Sequence, residues 1–240
     1  MFILATLLFV LGASAQTLDN GIQDAPCKYP IPEEVVLKVD FARFCKYELQ
    51  NTTLPAPTNH RVVYFGDSIT EGWLKRIVGI SKDDVINRGV GGQTSTQMLI
   101  RFRADVLNLK PKIVHIMTGT NDIAGNTGPT SYNRIKEAIM SMCEQARSRG
   151  IRVILGSIAP AKIFPWNTKV NPIPHIRTLN KWIKEYAAQE GYVYADYYSQ
   201  LVDREGGFES RLTFDGVHPN SDGYTVMGSV AADAIKRANQ

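Results

Sequence analysis

The chain has 240 residues, with 27 Lys and Arg against 23 Asp and Glu, a formal net charge of +4; 44% of residues are hydrophobic and 21% charged. Those proportions argue against a disordered, collagen-like or coiled-coil chain and leave room for one large domain or two small ones. The positive excess is small and forms no basic block, so nothing suggests a nucleic-acid partner, and three Cys are too few for a disulfide scaffold or a Cys-built metal site.

Residues 2–12 (FILATLLFVLG) are almost wholly apolar and are followed by Ala13-Ser14-Ala15. An apolar run of that kind before A-x-A reads as a secretory signal peptide, residues 1–15, cut after Ala15. It is shorter than the roughly 20 apolar residues of a membrane-spanning helix, although no Lys or Arg precedes it. The expected location is therefore secreted or periplasmic, with no stable membrane span. The first Cys, Cys27, stands well beyond the cut, so a lipid-modified Cys at the new N-terminus is not expected. Residues 16–60 look irregular, with Pro30, Pro32, Pro55 and Pro57 and a short helix predicted over 41–48. They read as an extension laid over the main body. Cys27 and Cys45 both fall in it, and in an oxidising compartment they could pair; sequence alone does not set the connectivity.

Strand and helix signals then alternate over 61–240, read as one domain. Strands are predicted at 61–65 (RVVYF), 85–87, 112–118 (KIVHIMT), 151–155 (IRVIL) and 192–195. Helices are predicted at 97–109, 131–149, 176–190 and from 220 onward, with Gly150 and Gly191 as C-terminal stops. This alternation implies an α/β fold with a central parallel sheet and helices on both faces. Such sheets place their sites at the carboxyl ends of the strands.

Those ends carry small polar residues: Gly66-Asp67-Ser68-Ile69-Thr70, Asn87 to Thr94, and Gly119-Thr120-Asn121-Asp122, with Asp215-Gly216-Val217-His218-Pro219 near the C-terminus. Each alone makes an ordinary turn or cap; together they supply the parts of acyl transfer. Ser68 can be a nucleophile if a base takes its proton. The chain has four His. His60 precedes the first strand. His115 lies inside an apolar run and reads as a core residue. His175 follows Pro174 with no evident carboxylate beside it. His218 has Asp215 three residues before it, so one turn can bring carboxylate to imidazole, and His218 is the base expected. Donors for an oxyanion can come from the Ser68 N–H, the Gly92 N–H and the Asn121 side-chain amide. Asp67 and Asp122 are expected to hold loops. Arg88 could meet an anionic substrate or stay solvated. There is no His-Glu-x-x-His and no Cys pair at ligand spacing, so metal catalysis is not expected, and a phosphate-binding loop is absent too.

The four blocks, in this order and spacing from about residue 61 to 236, resemble those of the SGNH hydrolases, the GDSL lipase/esterase superfamily. The resemblance implies a flavodoxin-like three-layer α/β/α sandwich and ester hydrolysis without a cofactor. It implies Ser68, Asp215 and His218 as the triad and Ser68, Gly92 and Asn121 as the oxyanion donors. Gly91 competes with Gly92 for the second block. Gln93 stands where the family commonly has Asp, and Thr70 stands where ordinary α/β-hydrolases have the last Gly of their elbow.

Substrate is read more coarsely. The irregular stretch 158–176 is expected to border the pocket, with Phe164 and Trp166 as walls. Short acyl or acetyl esters, on a small molecule or a carbohydrate, are favoured. A lysophospholipase- or thioesterase-like acyl hydrolase is the enzymatic alternative, and a non-catalytic glycan-binding protein is the rival from another class. Oligomeric state is not legible.

Overall fold

Five runs rich in Val and Ile become five strands: β1 (Val62–Gly66), β2 (Val85–Gly89), β3 (Ile113–Met117), β4 (Arg152–Gly156) and β5 (Val193–Ala195). The computed structural model of the protein describes residues 38–75 and 85–240. The expected signal peptide and Cys27 lie outside the described residues. Cys45 is disulfide-bonded, and Cys143 is a free, buried thiol. All strand pairs are parallel, in the order β2-β1-β3-β4-β5. That is the flavodoxin-like order, in which the chain reverses direction across the sheet between β1 and β3. Gly66 is in register with both Gly89 and Met117, so the carboxyl ends of β1, β2 and β3 are level.

Successive side chains of a strand point to opposite faces, and β1 shows the division. Val63 and Phe65 join one core with Met98, Phe102, Ile139 and Ile183. Val62 and Tyr64 join the other with Trp73, Met117, Tyr224 and Met227. The helices are α1 (Glu48–Thr53), α2 (Ser68–Glu71), α3 (Ser95–Asp105), α4 (Thr120–Ala124), α5 (Tyr132–Arg147), α6 (Pro172–Glu190), α7 (Tyr198–Leu201) and α8 (Ser221–Ala238). Apolar residues of α3, α5 and α6 fill the first core and those of α8 the second, which makes three layers. Fully burying each such Val, Leu, Ile, Phe or Met side chain stabilises the fold by about 1.5–3 kcal/mol. Among the described residues no helix is long and apolar enough to cross a membrane.

Three predicted helices change, each for a local reason. The helix expected over 41–48 does not form: the Asp40 carboxylate accepts the N–H groups of Phe44 and Cys45, and Arg43 is left-handed at φ 57. A 3-10 turn (Phe44–Lys46) and then α1 take its place. The helix expected at 97–109 starts earlier, because the Gln97 side chain reaches back to the Thr94 N–H at 3.0 Å, and it ends at Asp105 before a 3-10 turn (Leu107–Leu109). The helix expected from 176 begins at Pro172, since proline is tolerated in a first turn.

His115 is fully buried among Tyr64, Trp73 and Tyr197, with Nε2 2.8 Å from the Tyr197 hydroxyl. Burial depresses its pKa to about 3. The unfolded chain binds that proton near pH 6.5 and the native state does not, so stability present above pH 6.5 is lost as pH falls towards 3. The loss is on the order of 4 kcal/mol. Asp67 acts in the opposite sense: burial raises it to about 6, so its contribution is present below 3.8 and is lost as pH rises through 6. Urea melts of wild type and His115→Gln between pH 7 and 3.5 isolate the histidine. The acid limb is expected to be shallower in the variant, and equal limbs would refute the assignment.

Candidate active site

Ser68 is the first residue of α2, directly beyond the carboxyl end of β1. Asp67 caps this short helix, its Oδ1 accepting the Ile69 N–H at 3.0 Å. Asn87 ties the same turn to β2: its amide donates to the Thr70 carbonyl at 2.5 Å and its Oδ1 accepts the Gly89 N–H at 2.8 Å.

His218 comes from the loop before α8. That loop is pinned by the Thr213 hydroxyl and the Phe214 N–H, both donating to the His218 carbonyl, at 2.7 and 3.0 Å. Gly216, at φ 83, makes the turn that returns the chain. Asp215 Oδ1 accepts the N–H groups of Val217 and His218 at 3.0 and 2.8 Å, and Oδ2 lies 2.8 Å from His218 Nδ1. Partial burial pushes Asp215 up, but the hydrogen bonds from the His218 backbone and ring and from Val217 outweigh it and hold its carboxyl below the usual value. An ionised carboxylate only accepts, so Nδ1 carries the proton and Nε2 of the neutral ring is left as acceptor. Ser68 Oγ lies 2.9 Å from that Nε2. Residues 150 positions apart are thus joined in one hydrogen-bonded row, Ser68–His218–Asp215.

Gly92 is exposed in the loop between β2 and α3, at φ 75. Asn121, in α4 after β3, is buried. Its Nδ2 donates to the Gln93 carbonyl at 3.1 Å and to Asp67 Oδ2 at 3.3 Å, while its Oδ1 accepts from Asn126 at 2.8 Å. Asp122 does hold a loop, accepting both the N–H and the hydroxyl of Ser95 at the start of α3.

Trp166 and Phe164 divide their expected role. Trp166 is 44% exposed, its ring centroid 6.0 Å from that of His218 and its indole N–H donating to Asn126 Oδ1 at 3.0 Å. Phe164 is fully buried and stacked on Trp166 at 5.3 Å, so it is not the exposed pocket wall expected of it. Arg88 is neither a substrate contact nor a solvated residue: it is buried, donates to Asn51 Oδ1 and the Asn87 carbonyl, and lies over the Tyr47 ring.

Sequence reasoning missed Arg101 and Asn126. Arg101, fully buried, binds the carbonyls of Gly66 and Arg88, Gln93 Oε1 and the Asp105 carboxylate, and so joins the ends of β1 and β2 to the Gly92 loop. A charge at a predicted helix's inner face was the only available signal for it. Asn126 donates to both the Gly92 carbonyl and Asn121 Oδ1. A cleft of about 570 Å³ is lined by Ile123, Pro129, Tyr132 and Ile135 and by the polar Asp122, Asn167 and His175; neither Ser68 nor His218 lines it.

The GDSL-like lipase/acylhydrolase family matches this chain over residues 64–226. The chain belongs to that family, one of carboxylic ester hydrolases. A GDSL-like lipase from Bacteroides thetaiotaomicron, of known crystal structure, is 39% identical with a TM-score of 0.79, covering 83% of this chain and 100% of that one. Esterase TesA of Pseudomonas aeruginosa is 28% identical over 168 residues, 64% of this chain and 77% of TesA. An uncharacterized lipoprotein of Bacillus subtilis, YqeF, is 38% identical over 117 residues, 41% of this chain; the match spans only 48% of that lipoprotein.

Proposed function

We propose that this GDSL-family protein is an exported serine esterase that cleaves short-acyl or acetyl esters through Ser68, His218 and Asp215. The row of hydrogen bonds from Ser68 Oγ through His218 to Asp215, 2.9 and 2.8 Å, carries the reading. His218 Nε2 takes the Ser68 proton as the oxygen attacks the ester carbonyl, and Asp215 stabilises the imidazolium that forms. The oxyanion is held by the N–H groups of Ser68 and Gly92 and by the Asn121 amide, whose longer bond, to Asp67, yields to it. His218 then protonates the leaving alcohol, and water releases the acid by the same route. A fluorophosphonate probe is the direct test: it should label Ser68, and an unlabelled, folded protein would refute the reading.

Trp166, hydrogen-bonded in place beside His218, narrows the space around the reacting carbonyl and favours a short acyl group or a sugar face. The disulfide-bonded Cys45 fits an oxidising compartment, hence export, and the name of the Bacillus lipoprotein is in keeping with it. One observation favours a longer acyl chain, as in a lysophospholipase or thioesterase: the apolar side chains of Ile123, Pro129 and Ile135 in the neighbouring cleft. A panel of p-nitrophenyl esters from acetyl to dodecanoyl separates the two. Acetyl and butyryl esters are expected to give the highest kcat/KM. In Trp166→Ala the optimum should move to longer chains, with about a 10-fold relative gain for octanoyl over acetyl, the scale of one or two methylenes in an apolar pocket. An unchanged profile would remove Trp166 from the acyl wall.

A further inference from the structure

The described part of the N-terminal extension bonds to the end of α3, where the Asn51 amide donates to Asp105 Oδ1 at 2.8 Å, and makes a further set of contacts that converge on one place. Gln93 Nε2 donates to the Ala42 carbonyl at 2.8 Å, and Gln97 Nε2 donates to the Phe41 carbonyl at 2.8 Å. The Tyr47 hydroxyl donates to the Gly89 carbonyl. Arg88 Nε and Nη2 donate to Asn51 Oδ1 at 2.9 and 2.7 Å. Lys46 pairs with Glu71 Oε1, and Glu71 Oε2 in turn accepts the Gly91 N–H at 2.6 Å. Every one of these lands between residues 88 and 97, or on the carboxylate that holds Gly91. This is the stretch that carries Gly92.

The extension is itself held in one shape here. Asp40 fastens the N–H groups of Phe44 and Cys45, and Ala42 and Tyr47 are buried. Gln93 is the hub. Its side-chain oxygen accepts from Arg101 at 2.6 Å, its side-chain nitrogen reaches the extension, and its backbone carbonyl accepts the Asn121 amide at 3.1 Å. A displacement of Gln93 therefore moves the neighbouring Gly92 N–H and the acceptor that aims Asn121 at the same time. An oxyanion site works through donors that are already in place when charge develops, so such a displacement costs rate in the transition state more than it costs binding of the ester.

We propose that residues 40–51 form an intramolecular strap that positions the oxyanion loop, with Gln93 and Tyr47 as the positioning residues through which it acts. The inference rests on the serine-esterase reading of the site. The Gln93 amide can span from Arg101 to the strap because its oxygen accepts while its nitrogen donates.

The test uses the full chain and four variants: Tyr47→Phe, Gln93→Glu, the exposed strap control Leu49→Ser, and Ser68→Ala. Gln93→Glu keeps the acceptor for Arg101 and sets a carboxylate against the Ala42 carbonyl; Tyr47→Phe removes one hydroxyl and little else. The readout is kcat and KM on p-nitrophenyl acetate, with kcat normalised to fluorophosphonate-titrated sites, or to folded protein for Ser68→Ala, so that lost folded protein does not count. In Tyr47→Phe and Gln93→Glu, kcat per site should fall about 10-fold, a fraction of the roughly 10²–10³-fold loss on deleting an oxyanion donor, with KM within about 2-fold. Leu49→Ser should match wild type. Unchanged kcat per site in both strap variants, or a rise in KM at constant kcat, overturns the strap while leaving the serine site standing. Activity retained by Ser68→Ala overturns the site reading and the strap with it.

Discussion

Ser68→Ala is expected to lower kcat for p-nitrophenyl acetate by about 10⁴-fold or more, with the melting temperature unchanged to within a few degrees. In the proposed mechanism the Ser68 oxygen forms the acyl bond. It bonds to His218 Nε2 at 2.9 Å, and the imidazole keeps its own anchor through Nδ1 to Asp215 when the hydroxyl is gone. Stability therefore loses little, because the lost partner is itself only half-buried. His218→Ala should be about as damaging, and the double variant no worse than either single one, since residues acting as one unit are not additive. Residual activity well above background in Ser68→Ala would mean that another group attacks the ester. Losses that multiplied in the double variant would mean that serine and histidine act in separate steps.

Gly89→Ala is expected to destabilise the fold by about 3–5 kcal/mol, read as a fall in the urea midpoint. A Cβ at this position would stand 2.1 Å from the Glu71 backbone nitrogen and 2.6 Å from its Cα. Those atoms belong to α2, the helix that begins at Ser68, and backbone cannot swing aside as a side chain can. The clash would pry the end of β2 from the Ser68 turn, so activity should fall together with stability. Two residues on, Gly91 has only the flexible Glu71 carboxylate at 3.0 Å and Ser68 Cβ at 3.8 Å around an added Cβ. Gly91→Ala should cost about 1 kcal/mol or less. Equal midpoints for the two variants would refute the close packing of β2 on α2.

Local pattern carried a good deal of this protein. Five short apolar runs separated by helical periodicity are enough for a parallel sheet, because a strand buried on both faces must be apolar throughout. The site blocks were legible for a similar reason. A turn that must start a helix on a serine, or fold a carboxylate back onto a histidine three residues later, tolerates few residue types, so Gly66-Asp67-Ser68 and Asp215 to His218 stand out in one dimension. Those short-range bonds, Asp67 to Ile69 and Asp215 to His218, lie within three residues.

Bonds between distant segments left no such trace. Arg101 reads in sequence as one more helix charge; only the fold shows it fully buried, on carbonyls 13 and 35 residues away. Arg88 reads as a site cation or a solvated surface charge until Asn51 and Tyr47 arrive from the extension to cover it. Phe164 and Trp166 are both aromatic and two apart, yet one is sealed and the other faces His218. Spacing along a chain records which groups a single turn can join. It does not record which side chains come to share a carbonyl, since that follows from where the sheet order 2-1-3-4-5 sets the strand ends. Local pattern was thus enough for the sheet, the family and the candidate reacting groups. The packing of the extension, Arg101 and Asn126 around Gly92 came only with the fold, because each of their bonds closes a loop that no local pattern encodes.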